Sequence, residues 1–361
     1  MVERTALGVL ALVVFFLPVP AAAQSALRVA TWNIEDVGAP GSLEYTAALD
    51  VLDRIDAGVV ALNEIAGATD ATYLESLASD AGYPYLGYAA GAAFGSDRSA
   101  ILSRYPFVGS VTEHDSASLS GDAAANDITR SILEAVIDLP GFTGDLTVVA
   151  AHWKSGTGND DEFRRVVESY RIAQAIADLD TATDAYIVLG DINEEIDSTP
   201  RTPNPFVGLP TGLPASFSLG SDLAALLALG ALANDPFASL EADPGTATMA
   251  ASALQLDGLD ATRPASGRRL DYILLSDALA AEGVATEVYD SQDEGQPGGL
   301  PKAGTALAAA ASLDASDHLV VFADITVAAK AQAIPALGGV ALAGLAIALL
   351  AAGARRVRLR N

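Results

Sequence analysis

The chain has 361 residues, 51% of them hydrophobic, with 46 acidic against 20 basic side chains and a formal net charge of -26. That length can bury a sizeable core and fits one large domain. The absence of cysteine excludes disulfides, and the sign of the charge works against loose adhesion to nucleic acid or anionic lipid.

In chain order, residues 1–24 read as a secretory signal peptide: Arg4, an apolar run from Ala6 to Leu17, then small residues at Ala21, Ala22 and Ala23 for cleavage. From Leu27 to Asn193 short Val/Ile-rich runs alternate with amphipathic stretches: "LRVATWNI", "YTAALDVLDRI", "GVVALNEI", "SAILSRYP", "ILEAVIDL", "LTVVAAHW", "RRVVESYRIAQAIADL", "AYIVLGDIN". The first kind predicts strands and the second helices, one of them between Tyr45 and Ile55, so the domain is α/β with largely buried sheets. Residues 194–265 turn rich in Pro, Gly, Ala and Leu and read as an insertion, with "SDLAALLALGALA" as a helix. Strand patterning resumes in "RRLDYILLSD" and closes with "HLVVFADITV". A domain at 25–328 is followed by a linker at 329–335, an uncharged transmembrane helix at 336–354 and a basic tail at 355–361. Arg355, Arg356, Arg358 and Arg360 favour a cytoplasmic C-terminus, leaving the domain on the periplasmic or extracellular side. This tail resembles the sorting segments processed by exosortase-type systems, which would release the anchor.

Polar residues fall where apolar runs end or begin, the position at which α/β folds collect ligands. "TWNI" ends on Asn33, "LNEI" on Asn63 and Glu64, "AAHWKS" on His152, and "GDIN" on Asp191 and Asn193. "RLDYILLS" opens on Asp271, and "SDHLVV" on Asp317 and His318. Each alone has a structural reading, Asn33 as a turn former, Glu64 or Asp191 as a helix cap, His152 as a half-buried histidine.

In this order, together with "SAILSRYP", they resemble the motif series of the endonuclease/exonuclease/phosphatase superfamily, the metal-dependent phosphoesterases that include deoxyribonucleases, sphingomyelinases and inositol polyphosphate phosphatases. The resemblance runs from about Arg28 to Thr326. It implies a four-layered α/β sandwich, two packed mixed β-sheets flanked by helices. It also implies a divalent ion, Mg²⁺ or alternatively Mn²⁺ or Ca²⁺, held by Glu64 with Asn33, Asp317 and Asp191. His318 matches the general base or phosphate-contacting histidine and Asp271 the carboxylate behind it. Asp191 would position the water and Asn193 donate to a phosphate oxygen. His152 matches the second catalytic histidine, which Asp97 is placed to orient, and Arg130 matches an arginine that contacts phosphate. Two departures stand out: Asn63 where the family commonly has Gln, and Ala66 where pancreatic-type deoxyribonucleases carry a minor-groove arginine.

The expected function is an exported metal-dependent phosphodiesterase, a nuclease acting on DNA or RNA. A phospholipid (sphingomyelinase-like) or small-molecule phosphoesterase is the alternative, and a non-catalytic surface binding protein the third. No obligate protein partner is evident.

Overall fold

The structure, a computed structural model, describes residues 25–142, 144–196, 205–237, 240, 248–249 and 253–327. The expected signal peptide, linker, transmembrane helix and basic tail lie outside the described residues, as does part of the 194–265 insertion. Among the described residues no helix is long and apolar enough to cross a membrane.

Twelve strands are described: β1 (Ser25–Asn33), β2 (Val59–Ala66), β3 (Tyr85–Tyr88), β4 (Asp97–Ser103), β5 (Thr112–His114), β6 (Ile132–Asp138), β7 (Asp145–His152), β8 (Tyr186–Asp191), β9 (Thr248–Met249), β10 (Asp271–Leu275), β11 (Val284–Tyr289) and β12 (Val320–Val327). They form two mixed six-stranded sheets, in the orders β11-β12-β1-β2-β4-β3 and β5-β6-β7-β8-β10-β9. Each sheet has one parallel pair at its centre, β1 with β2 and β7 with β8, flanked by antiparallel neighbours.

Strand alternation separates two apolar surfaces on each sheet. Leu27 and Val29 of β1, Val59 and Ala61 of β2, Val148 and Ala150 of β7, Ile187 and Leu189 of β8, and Ile273 of β10 meet in one core cluster between the sheets. The intervening residues face outward. Ala30, Trp32, Val60 and Leu62 pack under α1 (Leu43–Ile55) and α2 (Gly67–Asp80). Val149, Ala151, Val188 and Leu274 pack with Ile172 of α4 (Asn159–Ala175). Helix, sheet, sheet and helix therefore follow one another, matching the expected sandwich.

α1 starts where Ser42 caps the amide of Tyr45 and ends on Asp56 in the left-handed conformation. The expected helix of the insertion is α5 (Ser221–Ala228), which ends short of "LGALA". Its Leu223 and Leu227 pack with Phe206 and Leu232 against Phe163, Val166 and Val167, on a second face of α4. The described part of the insertion therefore forms an outer layer on α4. Three short helices are also described, α3 (Ser116–Ser120), α6 (Asp277–Ala280) and α7 (Ala311–Ala315).

Candidate active site

The registers bring particular strand ends to one edge of the sandwich. Asn33 lies opposite Asn63, His152 opposite Asp191, and Asp191 opposite Asp271. The carboxyl ends of both parallel pairs and the amino ends of β10 and β12 thus share an edge. Asn33, Asn63, His152, Asp191 and Asp271 also continue the inward-facing alternation of their strands. The apolar space between the sheets is capped by polar side chains because the same period of two carries both.

Glu64 reaches this edge by a different device. Between Leu62 and Ile65 the β2–β4 register shifts, so that two residues of β2 oppose one of β4. Ile65 packs on the outer face with Leu62, which shows that the bulge has inserted one residue into the alternation. Glu64 takes the extra position with φ +63°, a left-handed conformation that costs free energy in any residue bearing a Cβ. Asn193 is also left-handed, at φ +53°.

The side chains then interlock. Asn33 Nδ2 donates to Glu64 Oε1 and to Asp191 Oδ2, both at 2.9 Å. Asn63 Oδ1 accepts the backbone N–H of Asp191 at 2.9 Å, tying one sheet to the other, while its Nδ2 donates to Ser99 Oγ. The short Asn63 fits because Gly190 precedes Asp191. A Cβ on Gly190 would lie 1.8 Å from the Ala151 carbonyl oxygen and 3.2 Å from Asn63 Oδ1. Asp271 Oδ2 lies 2.7 Å from His318 Nδ1 and accepts from Thr262 Oγ1 at 2.7 Å. Ser316 Oγ links the Asn33 carbonyl to the His318 N–H, and Trp32 Nε1 donates to the His318 carbonyl. His318 is therefore fixed at both backbone and ring.

These contacts set the protonation states. Burial, followed by the charge of Asp271, pushes Asp191 up to about 7. Burial opposes a charge on His318, but the charge and hydrogen bond of Asp271, with Asp191 and Asp317 behind them, raise it to about 9. His152 is held well below the usual histidine range by burial and then by the positive charge of Arg130. Burial also raises Glu64, against the hydrogen bond from Asn33.

Several residues stand differently from the sequence expectation. Asp97 orients Arg130, whose Nη2 donates to it at 2.7 Å, and not His152. Arg130 Nη1 also donates to the Trp153 carbonyl at 3.3 Å. The Asn193 amide donates to the Trp153 carbonyl at 3.0 Å, which leaves one of its two hydrogens for a ligand. Asp317 is an ion-pair partner of Arg263 at 2.6 Å, while its other oxygen stays 3.8 Å from His318 Nε2. Arg263, Thr262, Asn63 and Ser99 take roles that the sequence pattern does not predict. No local pattern sets these pairings, since each partner is brought close by the fold.

Glu64, His152 and Asp191 each offer a ligand atom, all within 4.8 Å of one another, and so do Asp191, Asp271 and His318. In the second group Asp271 Oδ2 and His318 Nδ1 are already paired with each other, although Asp271 Oδ1 has no hydrogen-bond partner among the described residues. The first fits a divalent cation better: two carboxylates whose charge is penalised by burial face an imidazole that has no hydrogen-bond partner among the described residues. Carboxylate-rich donors suit Mg²⁺, Mn²⁺ or Ca²⁺.

Two face-to-face mixed sheets with an acidic, histidine-bearing donor set at one edge place the chain among the α/β sandwich proteins with a metal-type site. The chain matches the Endonuclease/Exonuclease/phosphatase family over residues 30–318 and belongs to it. Members of that family are phosphoester hydrolases, typically metal-dependent. No curated protein matches the chain by sequence.

Among solved structures it is similar to the endonuclease/exonuclease/phosphatase of Beutenbergia cavernae DSM 12333, at 22% identity and a TM-score of 0.50, covering 84% of this chain and 72% of that one. It is also similar to sphingomyelinase C of Streptomyces griseocarneus, at 16% identity and a TM-score of 0.51, covering 83% and 99%. These likenesses show a shared fold.

Proposed function

We propose that the chain is an exported, metal-dependent phosphodiesterase that hydrolyses nucleic acid. The observation that carries the hydrolytic reading is the convergence of Glu64, Asn33 and Asp191 with the Asp271–His318 pair: His318 Nε2 stands 4.0 Å from Asp191 Oδ2.

Phosphodiester hydrolysis needs a water, a group to take its proton, and positive charge at the phosphoryl oxygens. Glu64 and Asp191 would hold the ion, and Asn33, whose Nδ2 donates to both carboxylates while its Oδ1 accepts the Glu35 N–H, would steady them. When bound, such an ion would supply positive charge that polarises the phosphate. In its neutral form His318 Nε2, 4.0 Å from Asp191 Oδ2, would take the proton of a water entering between them. Asp271 keeps the remaining ring proton on Nδ1 and balances the charge that forms. The free amide hydrogen of Asn193 and the guanidinium of Arg130 supply donors for the non-bridging oxygens.

Ala66 weighs against duplex DNA read through the minor groove, so single strands and RNA are the better candidates among nucleic acids, while the net charge of -26 opposes all of them alike. A panel of plasmid, single-stranded DNA, RNA and sphingomyelin, run in Mg²⁺, Mn²⁺, Ca²⁺ and EDTA, tests the reading. Nucleic acid is cleaved with metal and spared in EDTA, and H318A is inactive. Phosphocholine release with every nucleic acid intact would move the substrate to phospholipid, and inertness toward the whole panel would end the hydrolase reading.

Export rests on residues 1–24 and 336–361 of the sequence, with exosortase-type processing as the proposed route of release. Fractionation of cells making the full chain should find it outside the cytoplasm, shortened at the N-terminus.

A further inference from the structure

We infer that His152 is a nitrogen ligand of the ion held by Glu64 and Asp191, which turns the site toward Mn²⁺ and away from Mg²⁺ and Ca²⁺. The inference rests on the metal-dependent reading above.

The chain has three histidines, and the other two have carboxylate partners. His114 Nε2 lies 2.7 Å from Glu134 Oε2, and His318 Nδ1 lies 2.7 Å from Asp271 Oδ2. The His152 side chain is fully buried, yet neither ring nitrogen has a hydrogen-bond partner among the described residues. A buried imidazole with both nitrogens unsatisfied is costly and calls for a missing partner. The carboxylate placed by sequence to supply one, Asp97, is committed to Arg130.

The direction of the ring identifies the partner. His152 Nε2 is 3.6 Å from Glu64 Oε1 and 3.6 Å from Asp191 Oδ2, and the three atoms form one tight group. Both separations exceed a hydrogen bond. They approach the spacing of atoms sharing one ion, since bonds of about 2.1 Å at tetrahedral or octahedral angles set neighbouring ligand atoms roughly 3.0 to 3.4 Å apart. The arrangement follows from the fold: His152 and Asp191 are register partners at the ends of β7 and β8, and the β2 bulge swings Glu64 toward them from the other sheet.

Imidazole suits transition metals better than Mg²⁺ or Ca²⁺, which take oxygen ligands and, for Mg²⁺, retain water. Because Nδ1 has no hydrogen-bond partner among the described residues, the ligand lacks there the outer hydrogen bond that usually fixes such a ring. Its contribution should therefore be moderate, about tenfold in affinity.

The test is Mn²⁺ electron paramagnetic resonance with electron spin-echo modulation on the full chain, purified in detergent without a histidine tag. Bound Mn²⁺ should show ¹⁴N modulation from a directly coordinated imidazole in the wild type and in H318Q. H152Q should lose that modulation and bind Mn²⁺ about tenfold more weakly, with Mg²⁺ affinity changed less. Should H152Q fail to fold, wild type grown with ¹⁵N-histidine and H318Q together still decide the matter. Mn²⁺ bound without nitrogen modulation, or modulation that survives in H152Q, overturns the inference and leaves the hydrolase reading standing. The nitrogen signature without hydrolysis does the reverse, and failure to bind Mn²⁺ overturns both.

Discussion

Asp271 Oδ2 stands 2.7 Å from Nδ1 of His318, in a side-chain pair that spans 47 residues and joins the two sheets. The same oxygen accepts from Thr262 Oγ1, so the carboxylate is held on both sides while it holds the ring. Replacing it as D271N keeps the shape and removes the charge. Activity should fall by about 10³ to 10⁴, as in comparable His–carboxylate pairs, and the acid limb of the pH–rate profile should move to lower pH, because His318 loses the anion that raises it. An acid limb that does not move would assign the limb to another group.

The metal-free protein should lose stability as pH rises. The folded pKa of His318, about 9, lies above its unfolded value of about 6.5, so the contribution of its positive form is complete below about 6.5 and is lost as pH rises through 9. Asp191, raised to about 7, acts in the same direction from lower pH. Thermal unfolding in EDTA across pH 6 to 9.5 should show a declining midpoint, shallower in D271N. Equal slopes in the two proteins would contradict the coupling.

Glu64 combines a left-handed backbone with a half-buried carboxylate, so stability and function should part company there. E64G and E64A should both be inactive and fail to bind metal. E64G should be more stable than E64A by about 1 kcal/mol, because glycine adopts positive φ without a Cβ clash. This reverses the usual order, and urea unfolding of the two variants measures it.

Gly190 is the complementary case. At φ +149° its missing side chain makes room for the Ala151 carbonyl, which a Cβ would overlap at 1.8 Å. G190A should cost more than about 3 kcal/mol or prevent folding, and any folded fraction should bind metal poorly, because Asp191 is the next residue. Wild-type stability in G190A would show that β7 and β8 can separate at little cost.

Far from the site, Arg54 donates twice to Glu294 at 2.7 Å, and Tyr289 donates to the same carboxylate. Arg54 first, with Tyr289 also contributing, lowers Glu294 to about 2 against its burial. A depressed carboxylate contributes stability above its unfolded value, near 4.5, and loses it as pH falls toward 2. E294Q should be less stable than wild type at pH 7, with the gap closing between pH 4.5 and 2.

The sequence by itself determined the α/β class and the identity of the site strands, because apolar alternation and the polar residues that end each run are both local. Asn33, Glu64, His152, Asp191, Asp271 and His318 were legible for that reason, and all of them meet at one edge. Only the tertiary structure decided how they pair. Asp97 goes to Arg130 and leaves His152 without a hydrogen-bond partner among the described residues, Asp317 goes to Arg263, and Asn63 bridges to the backbone of Asp191. Hydrogen bonds between groups far apart in the chain depend on strand register, loop path and angstrom-scale reach, and none of these is encoded in the order of residues along one strand. The bulge that turns Glu64 inward is the clearest instance, since strict alternation would have sent that carboxylate to the opposite face of the sheet.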